Sequence, residues 1–293
     1  MLPLRLVMLV MLPNLLAAPA QAPSLEVRVR EAIAASGADV AVAYRTLDKR
    51  DALLLGADTV YHAASTMKIP VMIELFNQAG QRTLSLDDPL PIRNAFRSIV
   101  DGSPYTLSEG DDSDRELYAK VGGTMTLAQL CEAMITVSSN FATNLLIEKL
   151  GVDNVRRTVT RLGAEGMQVL RGVEDGKAFE KGLNNSTTAR GLLTLLEKLA
   201  HGQAVSASAD AAMVEMLKRQ KFSDAIPAGV PAGVAIAHKT GNITRIHHDA
   251  AVVYGSRPYV LVVLVRGIDD KKQSAALIAG ISRLIYESTA SGR

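Results

Sequence analysis

Apolar residues along the chain follow two rhythms, one helical and one alternating, and the order of the two suggests how the molecule is built. Leu25 to Ala35 repeats its apolar positions at the spacing of one helix face. ADVAVAYRTL (Ala38 to Leu47) then alternates like a strand, and a second short strand is expected near Ala52 to Leu55. The segment from Thr66 to Gln78 is apolar on nearly every side and predicts a largely buried helix. From about Ser85 to Lys218 helical spacing dominates, with helices expected at Leu127 to Val137, Asn140 to Leu150 and Thr187 to Ala200, joined by polar loops. β-rich runs return at Val234 to His238, Asp249 to Tyr254 and Tyr259 to Arg266, and Lys272 to Tyr286 closes the pattern as an amphipathic helix. Strands at both ends with helices between them predict an α+β (or α/β), two-lobed fold whose sheet is completed by distant segments. The helical block, about residues 66–218, would be an inserted lobe, and a cleft between lobes is where a small-molecule site is expected.

The first 22 residues do not belong to that pattern. MLPLRLVMLVMLPNLLAAPAQA carries one early arginine, an apolar run broken by Pro13 and Asn14, and small residues at Ala18, Ala20 and Ala22. This is the layout of a cleavable secretory signal peptide and is too short and interrupted for a comfortable membrane span. The expected mature domain is 23–293, secreted or periplasmic, with no stable membrane insertion after cleavage. Composition adds exclusions. The 293 residues are 48% apolar and 21% charged, with a formal net charge of +2 and no long run of like charge, so no nucleic-acid partner is expected. Cys131 is the only cysteine, which rules out an internal disulfide and a thiolate metal cluster; it sits in an apolar helical run and reads as a small buried hydrophobe.

Three short motifs carry the candidate chemistry. In Ser65-Thr66-Met67-Lys68 the lysine follows the serine by one helical turn, so its amine can reach the serine oxygen and act as the base a hydroxyl needs to attack a carbonyl. If Ser65 opens a helix, unpaired backbone N–H groups lie beside it and can hold an oxyanion. Ser138-Ser139-Asn140 falls between two helices and offers a hydroxyl for proton relay and an amide for a substrate. His238-Lys239-Thr240-Gly241 closes an expected strand, with Lys239 and Thr240 suited to a carboxylate, Gly241 permitting close backbone approach, and the backbone N–H of Asn242 a possible second oxyanion donor. Taken singly, each also reads as ordinary structure: a capping serine, a polar interhelix turn, a strand ending in a glycine turn.

Taken together and in this order, the motifs resemble the S-x-x-K, S-x-N and K-T-G set of serine β-lactamases and penicillin-binding proteins. The stretch SSNFATNLLIEKLG is similar to the class A β-lactamase branch. That resemblance implies an antiparallel sheet flanked by helices, an all-helical lobe and a site between them. It also implies Ser65 as the acylated nucleophile, Lys68 as its base, Ser138 as proton relay, Asn140 as a substrate-amide ligand, and Lys239 with Thr240 as the carboxylate site. Class A enzymes also use a glutamate that holds the deacylating water. Glu174 is favoured by spacing, in a loop opening at Arg171 and closing near Asn185; its rival Glu180 fits the local E-x-x-L-N text but leaves too few residues before the next helix. Glu174 could otherwise pair with Arg171 or Lys177 to staple the loop. Two positions depart from the class A pattern: Ser139 and Asn185 stand where aspartates are usual.

Arg245, just past the K-T-G strand, is a further candidate carboxylate ligand. His247, His248 and Asp249 lack a metal-binding spacing, and neighbours on a strand point to opposite faces, so neither a metal nor another cofactor is expected. His62 reads as structural. The expected function is β-lactam hydrolysis by a monomer acting on a small molecule. The alternative is a D-alanyl-D-alanine peptidase acting on peptidoglycan stem peptides, and a third reading is a β-lactam-binding sensor that stays acylated.

Overall fold

The computed structural model describes residues 23–291; the expected signal peptide over residues 1–22 lies outside the described residues. Five strands, β1 (Asp39–Thr46), β2 (Ala52–Leu55), β3 (Ala235–Ile243), β4 (Ile246–Tyr254) and β5 (Tyr259–Arg266), form one sheet in the spatial order β2-β1-β5-β4-β3. Every pairing in it is antiparallel. The segment between β2 and β3 carries helices α2 (Lys68–Gly80), α3 (Leu127–Thr136), α4 (Asn140–Leu150), α5 (Val152–Arg161), α6 (Gly176–Glu180), α7 (Ala189–Ala200) and α8 (Ala207–Lys218), while α1 (Leu25–Ser36) and α9 (Lys271–Ser291) flank the sheet segments at the two ends. The α+β class read from the pattern is the class observed.

Alternation along the strands sorts side chains onto the two faces. Val40, Val42 and Tyr44 of β1, with Leu261, Val263 and Val265 of β5, pack against Val29 of α1 and Ile278, Ile281 and Ile285 of α9. Ala41 and Ala43, with Val260, Val262 and Leu264, face the opposite way and join a core continuous with α2, α3, α4, α7 and α8. Both faces are covered, so β5 reads YVLVVLVR, an unbroken apolar run with no alternation to show.

Local signals set the helix ends. Ser24 caps α1 and Gly37, at φ +65°, ends it; Thr126 and Gln129 form a reciprocal capping box on α3. Ser139 caps α4, its Oγ accepting the Ala142 N–H at 3.2 Å. Ser139, one of the two departures from the class A pattern, thus serves the helix.

Three expectations are corrected in detail. The helix read from Thr66 begins as a 3₁₀ turn, Ala64–Met67, and becomes α-helical only at Lys68. The strand expected to stop at His238 continues through the H-K-T-G motif to Ile243, and its partner starts at Ile246 instead of Asp249. Polar residues and a glycine look like terminators in sequence, yet here they are paired across the sheet, with Asp249 opposite Thr240 and His248 opposite Gly241. Short two-stranded ladders also appear that no pattern announced, among them Tyr61–His62 with Ser186–Thr187, which ties the segment before Ser65 to the end of the Glu174 loop. Among the described residues, no helix is long and apolar enough to cross a membrane.

Candidate active site

Edge strand β3 lies against the 3₁₀ turn that carries Ser65. A Cβ at Gly241 would sit 3.1 Å from the Ser65 backbone nitrogen, 3.1 Å from Thr66 Cγ2 and 3.2 Å from Ala64 Cβ. Glycine is needed there for approach, since only its absent side chain lets strand and turn touch. Ala64, just before the serine, is held at φ +45°, Ser138 at +60° and Glu174 at +62°. Left-handed backbone in non-glycine residues persists only where surrounding structure over-determines it, and these three positions belong to the three segments that meet around a single cleft.

Lys68 opens α2 and is fully buried. Its Nζ donates to the Ser138 carbonyl at 2.6 Å, to Asn140 Oδ1 at 2.8 Å and to Ser138 Oγ at 3.2 Å. Lys239, equally buried, donates to the same Ser138 Oγ at 2.9 Å and to the Thr240 carbonyl at 2.9 Å. Burial pulls the Lys68 amine down to about 7, against the opposing pull of Asp112 and Glu174. Burial, reinforced by Lys68, also holds Lys239 well below the ordinary lysine range. Two amines sharing one hydroxyl titrate as a unit, and the pair releases a proton far more easily than an exposed lysine would. Because Ser138 Oγ accepts from both lysines, its own proton is free to be donated to a group in the cleft that Ser138 lines.

Asn140 joins this cluster to the loop beneath. Its Oδ1 accepts from Lys68 while its Nδ2 donates to Glu174 Oε1 at 2.7 Å. Desolvation raises the Glu174 carboxyl above its ordinary value, with the Asn140 bond and Lys68 pulling the other way and Asp112 and Asp111 adding to the rise. The loop is held at several points. Asp175 is buried and accepts from Ser98 Oγ, Ile99 N and Ala178 N at 2.8, 2.9 and 3.1 Å. Asn185 closes the base by accepting from Leu170 N and donating to the Arg171 carbonyl. Arg171 is spent on the Leu183 and Gly172 carbonyls and Asn184, and Lys177 on Asp101, so neither staples Glu174. Glu180, at the end of α6, is exposed as Glu174 is but makes none of these contacts.

The cleft above these groups measures about 280 Å³ and is lined by Ser65, Ser138, Asn140, Thr240 and Asn242 among others. Larger surface grooves lie elsewhere and are lined by other residues, without the serines or the two lysines. Arg245 is not brought in. Its guanidinium turns to the Gly267 carbonyl at 3.1 Å and to Asp269 at 3.3 Å, because its residue occupies the tight turn between β3 and β4 at φ +59°. The exposed cation on the cleft wall is Lys271, the first residue of α9, 3.9 Å from Asp224 and beside His247.

Several of these residues escaped the sequence reading. Asp112 accepts the N–H groups of Asn140 and Phe141 at 3.0 and 2.8 Å and so anchors the start of α4. Asn144 clamps the loop, accepting from Val173 N at 2.6 Å and donating to the Val173 carbonyl at 3.0 Å. The signal for Asn144 was available: it follows Asn140 by four residues and shares its helix face. Asp112 and Lys271 are far from the motifs in sequence and gave no such sign. Among the described residues, no three His, Cys, Asp or Glu side chains converge as a metal would require.

An antiparallel sheet flanked by helices, with a serine, two buried lysines and a second serine at one cleft, defines a class: the active-site serine fold shared by β-lactamases and penicillin-binding proteins. The sequence profile of the beta-lactamase enzyme family matches residues 24–289, and the chain belongs to that family. It is similar to the carbapenem-hydrolyzing beta-lactamase KPC of Klebsiella oxytoca, at 30% identity over 211 residues, 67% of this chain and 66% of that protein. The crystal structure of a beta-lactamase from Sphaerobacter thermophilus superposes with a TM-score of 0.79 at 25% identity, over 90% of this chain and 97% of the other. The structure of PBP-A superposes with a TM-score of 0.77, also at 25% identity, over 90% and 95%.

Proposed function

We propose that this protein is a class A-like serine β-lactamase, acting as a monomer on small-molecule β-lactams. The observation that carries the reading is the chain of contacts from Glu174 through Asn140 to Lys68, which puts a carboxylate within reach of the machinery that would form the acyl-enzyme. Having lost a proton, and with it the 3.2 Å bond to Ser138 Oγ, neutral Lys68 takes the Ser65 proton, and Ser65 Oγ adds to the β-lactam carbonyl. The C–N bond breaks as Ser138 Oγ–H protonates the ring nitrogen, and Ser138 is reprotonated from the lysine pair. Glu174, ionised, then takes a proton from water as the water attacks the ester, the ester C–O bond breaks, and that proton passes from Glu174 to the departing Ser65 Oγ to regenerate the enzyme. Lys239, Thr240 and Lys271 receive the substrate carboxylate, whose negative charge favours a charged Lys239 and so leaves Lys68 neutral. Export to the periplasm or beyond, directed by residues 1–22, belongs to the same proposal, since β-lactams act outside the cytoplasm.

The likeness to PBP-A favours a second reading, D-alanyl-D-alanine peptidase action on peptidoglycan stems. Intact-mass measurement over time after mixing with benzylpenicillin tests both. The lactamase reading expects a transient adduct and full release of hydrolysed product over many turnovers. A stable stoichiometric adduct, with D-alanine release from a stem-peptide mimic, would replace it with the second.

A further inference from the structure

We infer that His62 is a positioning residue for the nucleophile: its uncharged imidazole holds the Ala64 N–H, and with it the strained turn on which Ser65 stands. The inference rests on the reading of Ser65 as nucleophile.

His62 Nδ1 accepts the Ala64 N–H at 3.0 Å, across a two-residue span that brings the ring back over its own backbone. An acceptor nitrogen carries no proton, so the ring is neutral with its proton on Nε2. The residue so held, Ala64, is the one at φ +45°. His62 is itself fixed from the other side. Buried His248 takes the Val265 N–H on Nδ1 at 3.2 Å, which leaves its Nε2–H to donate to the His62 carbonyl at 3.0 Å. The Ala63 N–H goes to the Asn185 carbonyl at 2.8 Å. The turn is thus pinned to the sheet through His248, to the loop through Asn185, and against Gly241, while His62 supplies the acceptor for the strained residue itself.

Protonation would turn Nδ1 from acceptor into donor and set it against another N–H, so the Ala64 conformation loses its support. Two ionisable groups face the ring: Arg171 from the loop, which opposes a second positive charge, and His248 from β4, held neutral by burial. Burial and Arg171 hold the His62 imidazole below its ordinary value, which favours the acceptor form.

The test measures acylation rate with a fluorescent penicillin between pH 4.5 and 8 for the wild type, His62→Ala and His62→Asn. An asparagine oxygen accepts an N–H two residues on and does not titrate in this range. His62→Ala is expected to acylate about tenfold more slowly at neutral pH, and His62→Asn within about threefold of the wild type. As pH falls through the His62 titration, the ratio of His62→Asn to wild-type rates should rise and level off near the about tenfold penalty of His62→Ala; Lys68 titrates in both proteins and cancels in the ratio. A ratio that stays flat across the His62 titration, followed by imidazole NMR, or a His62→Ala protein that acylates like the wild type, overturns the inference. A wild-type protein that takes no label at all would instead overturn the reading of Ser65, and the inference with it.

Discussion

Replacing Glu174 by glutamine removes a base and leaves almost everything else in place. The introduced amide oxygen can still accept from Asn140 Nδ2, which stands 2.7 Å from Glu174 Oε1, so the link to Lys68 is kept and the loop retains its anchors at Asp175 and Asn144. What disappears is the capacity to take a proton from water. Loss of a positioned base costs about 10²–10⁴-fold in the step it serves, or about 2.7–5.4 kcal/mol of barrier. Acylation, which the proposed mechanism assigns to Ser65, Lys68 and Ser138, should change little. The variant should therefore show a burst of chromogenic cephalosporin equal to enzyme concentration, then slow turnover, with the adduct persisting in intact-mass spectra. The pH profile carries a matching signature. Desolvation raises the Glu174 carboxyl, and its base form is lost as pH falls through that raised value, so wild-type deacylation should fail at a pH above the ordinary glutamate range. Wild-type turnover by Glu174→Gln, or a burst seen only with Glu180→Gln, would refute the assignment.

Other outcomes follow from the same contacts. Gly241→Ala places a methyl 3.1 Å from Ser65 N, and the displaced turn should slow acylation about tenfold while far-UV circular dichroism stays unchanged. Lys271→Gln should raise KM for carboxylate-bearing β-lactams about five- to tenfold with kcat nearly constant, and Arg245→Gln should leave both unchanged in steady-state kinetics, since Arg245 is engaged by Gly267 and Asp269. Asp249→Ala strands two buried donors, Ile226 N and His238 Nδ1, each 3.0 Å from the carboxylate; the loss of about 1–3 kcal/mol should lower Tm by several degrees in differential scanning calorimetry.

The features legible in the chain were local, or depended on order along it. Helix and strand rhythms are written in side-chain spacing, and capping residues such as Ser24 and Thr126 act on backbone groups only a few positions away. The three motifs were legible because each places its own chemistry within one turn or one strand end. The extension of β3 past His238 was not, since a lysine, a threonine and a glycine continue a strand only when partners across space satisfy them. Between Glu174 and Glu180 the sequence offered only spacing, which favoured Glu174; both lie in the same polar loop, and what separates them is a contact to Asn140, 34 residues away. Likewise nothing local says that Arg245 turns outward while Lys271, from the other end of the sheet segment, comes to the cleft. Sequence alone determined the fold class and the groups of the three motifs, since those follow from short-range spacing and order along the chain. Only the tertiary structure decided which groups share a hydroxyl, which carboxylate faces the amide and which cation lines the cleft, because proximity between distant segments is set by packing of the whole core.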